Sequence, residues 1–311
     1  MNKHYWLFLL TVTLGWFNAG VVWLIQFSCY PLWPYVGRGE FSNYHNVWGQ
    51  NTWWVVFLPS VLVAAGSILL LRFSPPGVPR WALWAGVCIQ FTIQLLTAFW
   101  VSPIERHMVA GEGGLNFAAY ESLVSGNWVR IALVTTYAVL NYWVLSRTLW
   151  PYATMTHGRW LLLSTSALGL YAVGNVWLVQ LVCYRLWPSL GRGEAFRYHL
   201  AWWHSIWGVL FVPAGIVFLG ALALPWLRPS GVKGRPVWLG LMLQMVIYAS
   251  TAAWWGPLMA RLIKPDGEML LHDYQLLMST HWIRLVLVTG YGLTSFYILL
   301  KSATGPVRSS P

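Results

Sequence analysis

Charged side chains are scarce in this sequence: they make up 9% of its 311 residues, and only 8 are acidic. A soluble globular chain carries about 25%, so a water-exposed surface of ordinary composition is excluded. Cysteine is rarer still, at three, too few for a disulfide framework or a thiolate metal cluster. There is no Walker loop, no dinucleotide fingerprint, no Gly-x-Ser-x-Gly, no His-Glu-x-x-His and no Cys-x-x-Cys. No two acids show paired-carboxylate spacing within one helix, and no loop is long enough for a separate soluble domain. These absences remove nucleotide-driven chemistry, the nucleophile-elbow hydrolases and the zincins.

Apolar residues dominate instead, at 58%. Eight runs, centred on 5–28, 52–72, 82–103, 126–146, 160–182, 206–226, 237–257 and 280–300, approach or exceed the ~18 residues that cross a bilayer. The expected fold class is all-α integral membrane. The opening MNKHYWLFLLTVTLGWF resembles a secretory leader but lacks a small-residue cleavage site. Trp160 to Cys183 repeats its pattern in mid-chain, so it reads as a transmembrane helix.

The formal charge of +11 points to a polyanion only until the charges are placed. Lys3, Arg72, Arg80, Arg147, Arg159, Arg228, Lys233, Arg235, Lys301 and Arg308 fall on one side of an eight-helix arrangement. Glu40, Glu105, Glu112, Glu121, Glu194, Asp266, Glu268 and Asp273 fall on the other or at its edge. The positive-inside rule then predicts both termini cytoplasmic, in a bacterial-type inner membrane, with no nucleic-acid partner.

Cys29–His45 reads CYPLWPYVGRGEFSNYH and Cys183–His199 reads CYRLWPSLGRGEAFRYH. The same shift aligns Trp23 with Trp177, Gln26 with Gln180, Pro59 with Pro213, Gln90 with Gln244, Pro103 with Pro257 and Arg130 with Arg284. A fixed offset over most of the chain signals duplication. It predicts two tandem four-helix units, 1–153 and 154–311, and an even helix number makes them parallel repeats about the membrane normal.

Counting ~20 residues back from Arg72 and Arg147 puts the outer boundary near Asn51 and Asn127. The second and fourth helices of each unit should project beyond it, carrying the doubled motif. Trp33, Trp48, Trp53, Trp54, Trp187, Trp202, Trp203 and Trp207 sit near that level, suited to anchoring or packing. Gly-Arg-Gly-Glu is expected to start the second helix, with Glu40 and Glu194 favourable at its N-terminus. Cys29 and Cys183 lie at matching outer ends, read as buried thiols or a bridge between the units; Cys88 is read as packing.

Arg130 and Arg284 lie about one turn inside the boundary, where an unpaired guanidinium costs a few kcal/mol. Gln26, Gln180, Tyr44, Tyr198 and the outer acids are their expected partners, with an anionic or carbonyl ligand as the alternative. His45 and His199 are the repeated histidines. The second unit adds His204 and His281 where the first has Gln50 and Asn127, so His199, His204 and His281 are its candidate haem or metal ligands. Residues 199 and 204 stand about 140° apart on a helix, which weakens that signal.

Tyr30-Pro31-Leu32, Tyr44-His45 and Asn127-Trp128-Val129-Arg130 give each half the outline of a known group. It resembles a four-helix bacterial membrane family of unknown function grouped with anthrone-oxygenase-like domains. The resemblance implies a four-helix unit and makes an aromatic or quinone-like ligand conceivable. Trp48 and Asn51 stand where that family has further His and Arg, which is a departure.

Three functions follow as expectations. The first is a redox membrane protein, an oxidoreductase or electron-transfer subunit, with haem b or a quinone in the C-terminal unit near His199, His204, His281 and Arg284, and His45 and Arg130 as the lesser counterparts. The second is a structural subunit of a larger respiratory- or photosynthetic-type membrane complex. The third is a small-molecule transporter; polar residues at the outer edge and the absence of a broken helix pair at mid-membrane count against it.

Overall fold

The computed structural model describes residues 3–109, 113–150 and 155–304. Glu112, Arg308 and the expected boundary at 153/154 lie outside the described residues. Eight helices are long and apolar enough to cross a membrane: α1 (His4–Tyr35), α2 (Phe41–Arg72), α3 (Arg80–Arg106), α4 (Phe117–Leu149), α5 (His157–Ser189), α6 (Arg192–Ala223), α7 (Gly234–Arg261) and α8 (Leu271–Ser302). The chain is built as a multi-pass membrane protein. Among the described residues no strand forms; single bridges join Val109 to Leu115 and Ile263 to Met269 in the α3–α4 and α7–α8 turns. Gly113 and Gly267 give those turns left-handed backbone, at φ 79° and 81°.

The helices outrun the bilayer. The 33 residues of α4 span about 50 Å at 1.5 Å each, against about 30 Å of hydrocarbon. As the expected projection beyond the boundary requires, α2 and α4 begin at Phe41 and Phe117. No breaker intervenes, and Asn116 caps α4 by accepting the Ala119 N–H at 3.3 Å. One end of the molecule carries Glu40, Glu105, Glu194 and Asp273, and is called the acidic end; the other carries Arg72, Arg80, Arg159 and Lys301.

Six helices carry a wide π-helical turn: Ile25–Cys29 in α1, Trp53–Phe57 in α2, Thr97–Val101 in α3, Val179–Cys183 in α5, Trp207–Phe211 in α6 and Thr251–Trp255 in α7. Five of them precede a proline by two residues: Pro31, Pro59, Pro103, Pro213 and Pro257. Proline lacks an N–H and its ring collides with the carbonyl four residues back; widening the preceding turn relieves both. The turn at Val179–Cys183 persists with Arg185 in place of the proline, so packing alone maintains it there.

α1 packs on α2 and α4, and α3 lies between α2 and α4; α5 packs on α6 and α8, and α7 lies between α6 and α8. α1 and α5 run side by side through the middle. Their backbones touch: a Cβ on Gly20 would run into the Tyr171 carbonyl, and one on Gly174 into the Phe17 carbonyl. Small residues let membrane helices approach this closely. At the acidic end the first turns of α2 lie over the end of α5, and those of α6 over the end of α1. Contacts recur at the sequence offset: the Trp23 indole donates to Thr135 Oγ1 at 2.9 Å and the Trp177 indole to Thr289 Oγ1 at 3.1 Å.

The acidic end holds the largest apolar cluster, with Trp33, Trp48, Trp187 and Trp202 in it, all at most 3% exposed. Those four are core residues; Trp53, Trp54 and Trp207 lie on the surface. Elsewhere the surface is apolar, with Phe99, Trp226 and Leu219 exposed, as lipid-facing helices require.

Candidate functional site

The site is built on the wide turn of α5, which buries Gln180 against α8. The Gln180 amide nitrogen donates to the Met278 carbonyl at 3.4 Å. That turns its Oε1 toward His281, whose Nδ1 lies 2.8 Å away. An amide oxygen only accepts, so Nδ1 carries the imidazole proton and Nε2 keeps its lone pair. His281 is fully buried, and its Nε2 has no hydrogen-bond partner among the described residues. Tyr184 and Trp255 present their rings to it at 4.9 and 6.0 Å.

Arg284 follows one helical turn later, on the same face. Its guanidinium sits 5.9 Å over the Trp255 ring. It makes no ion pair among the described residues, and its Nε is buried without a partner. Both side chains line one cavity of about 30 Å³, together with Tyr184, Trp202, Trp255 and Met259. That space holds a water or two, or the oxygen of a larger group.

The matching place in the first half is tighter and has an acid nearby. The Asn127 amide donates to Gln26 Oε1 at 2.7 Å. Arg130, 5% exposed, stands in the electrostatic range of the Glu105 carboxyl, although among the described residues the two form no close ion pair. The cavity beside Arg130 measures about 10 Å³. Position 259, the counterpart of Glu105, is methionine, so Arg284 lacks the nearby acid that Arg130 has, where Asn127 has become His281. This exchange was readable by laying the halves side by side; the bond between Gln180 and His281 was not.

The other histidines do not join this pair. His199 is buried, with Nε2 accepting the Trp203 indole N–H at 3.1 Å and its ring edge-on to Trp187 at 5.5 Å. His204 is exposed, as the five-residue spacing requires. Among the described residues no three His, Cys, Asp or Glu side chains form a group able to hold a metal ion, so the expected trio of His199, His204 and His281 is not assembled. His45 is half-buried between Trp33 and Phe41, at 5.7 and 5.9 Å, with an unpartnered Nε2. Nor do Tyr44 and Tyr198 serve the arginines: their hydroxyls bond each other at 2.9 Å.

No family model, curated protein or solved structure matches this chain.

Proposed function

We propose that the C-terminal four helices bind a hydroxyaromatic ligand of the quinol class, entering from the outer leaflet, and that the protein serves membrane redox chemistry. What supports this is one observation: an imidazole held with a bare Nε2 and a guanidinium without counter-charge share a cavity wall. A phenolic O–H donates to such a nitrogen, and Arg284 stabilises the anionic oxygen left as the proton departs. Tyr184, Trp202 and Trp255 supply an aromatic lining. The resemblance of Tyr30-Pro31-Leu32 and Tyr44-His45 to the anthrone-oxygenase-like grouping favours an aromatic ligand too. In this reading another membrane subunit, of respiratory or photosynthetic type, takes the electrons.

The wider architecture is part of the same proposal. The halves are tandem parallel repeats, 1–153 and 154–311. Both termini are cytoplasmic and the acidic end faces outward, because Lys and Arg are in excess at the opposite end, with ten there against seven at the acidic end outside Arg130 and Arg284. The first half, with Glu105 near Arg130, supports; the second half works. A haem b ligated by His281 is the variant of this reading. Both ring systems need more space than about 30 Å³, and the cavity as it stands takes only the hydroxyl end of a quinol.

Titration of the detergent-purified protein with a short-chain quinol, followed by equilibrium dialysis, tests the proposal. Saturable binding is expected, weakened at least about tenfold in His281→Ala and Arg284→Gln and unchanged in the exposed-site control His204→Ala. Equal binding by wild type and Arg284→Gln rejects the site. A reduced-minus-oxidised spectrum with split α and Soret bands replaces quinol by haem. Failure of all binding by folded protein leaves the structural-subunit role.

A further inference from the structure

The thiols of Cys29 and Cys183 face each other at 3.6 Å, each 2% exposed or less. Each is the last residue of a wide turn, Ile25–Cys29 in α1 and Val179–Cys183 in α5. Nine residues earlier Gly20 and Gly174 bring the two helix backbones into contact. The helices therefore arrive at the cysteines side by side and in register. The hydroxyl pair of Tyr44 and Tyr198 lies in the electrostatic range of both sulfurs and shares their burial. Among the described residues the third cysteine, Cys88, is exposed on α3 and has neither a matching thiol nor this setting.

A thiol pair at this distance makes only a weak S–H···S contact in a place sealed from water. The S–S bond of about 2.05 Å lies about 1.5 Å away, within reach of side-chain rotation where two parallel helices already touch. We propose that Cys29 and Cys183 are joined by a disulfide in the mature protein, tying α1 to α5 at the acidic end. The bond forms as the helices come together, before the thiols are sealed. A disulfide of the exporting compartment takes the first thiolate as a mixed disulfide; the second thiolate then displaces the remaining thiol. In balance, two Cys–SH and one R–S–S–R give the Cys29–Cys183 disulfide and two R–SH. This places a covalent bridge where the sequence left thiols and bridge as alternatives. It rests on the outward orientation of the acidic end and not on the quinol site.

The test uses full-length Cys88→Ser in membranes from cells with an oxidising export compartment. The sample is acid-quenched, then denatured near neutral pH in excess maleimide so that buried thiols also react, and labels are counted by mass. No label is expected without reductant and two labels after reduction, with a Cys29 peptide linked to a Cys183 peptide, lighter by two hydrogens than the separate pair. Two labels without reductant overturn the disulfide, and so does a reductant-sensitive dimer between chains. A separate Asp266→Cys variant lacking the native cysteines, probed with an impermeant maleimide on intact cells, reports orientation. Labelling there together with two free thiols in Cys88→Ser removes the disulfide alone; protection there removes the orientation as well.

Discussion

Tyr44 and Tyr198 share a single hydrogen bond, hydroxyl to hydroxyl at 2.9 Å, and neither is more than 1% exposed. They stand at matching positions of the two halves. Under the tandem reading, a residue meets its own counterpart only on the axis relating the halves. Tyr44→Phe should therefore leave the Tyr198 hydroxyl buried and unpaired, costing about 1–3 kcal/mol. Tyr44→Phe with Tyr198→Phe should cost less than the sum of the single changes, since both partners are removed. A double-mutant cycle by unfolding in mixed micelles measures this, and additive losses would contradict it.

The contact of α1 with α5 depends on two missing side chains. Gly20→Ala and Gly174→Ala place a methyl group against a backbone carbonyl, which cannot rotate away. Each is expected to lower stability by about 1–3 kcal/mol. Gly49→Ala, whose added Cβ meets nothing within 4 Å, should be neutral or raise helix stability by up to about 1 kcal/mol. Unfolding midpoints of the three variants decide it; equal behaviour at all three positions would show that the crossing is looser than described.

Met259→Glu rebuilds in the second half the acid that Glu105 provides in the first. The new carboxylate should pair with Arg284 and withdraw it from any ligand oxygen. Quinol affinity is expected to fall at least about tenfold, and further than in Met259→Gln, which matches it in size without the charge. Equal losses in the two variants would mean that shape, not charge, governs the cavity.

Beyond α7, Asp266 accepts the Glu268 N–H at 3.1 Å and the Arg192 guanidinium at 3.0 Å. The backbone N–H first, and Arg192 with it, hold its carboxyl below the usual carboxylate range, while Glu268 raises the Lys264 ammonium. A carboxyl held low stabilises its turn above the ordinary Asp value of about 3.9, and that contribution vanishes as pH falls through the lower folded value. Hydrogen exchange at the Glu268 amide, corrected for intrinsic rate, should be faster in Asp266→Asn than in wild type at pH 7. The difference should close on acidification; a gap independent of pH would show that the carboxylate charge is not what holds the turn, and no gap at any pH would assign it to Gly267 alone.

Much of this was legible in the chain. Eight apolar runs fixed eight helices because the bilayer demands about 20 apolar residues per crossing. His281 and Arg284 each stood out, the first as a histidine added in the second unit and the second as a guanidinium inside the boundary; that they share one wall was not legible. The wide turns escaped notice, although Pro59, Pro103, Pro213 and Pro257 marked them; the one at Val179–Cys183 has no local mark. The fate of each histidine was not legible either. His199 is silenced by Trp203 and His281 is aimed by Gln180, and both depend on contacts that only packing creates. Four tryptophans suited to an interface are core residues because the helices that carry them extend past the boundary and close over one another.

That closure has a mechanical consequence. Asn43 of α2 reaches Ser189 of α5, the Arg185 guanidinium of α5 reaches Asn51 of α2, and Ser28 of α1 reaches the Ser205 carbonyl of α6. Each half thus holds the other by a forearm crossed over its wrist. To pivot apart at this end, the halves would first have to release every one of these grips and expose Trp33 and Trp187. A rocking motion of the two halves would therefore have to begin by undoing this clasp.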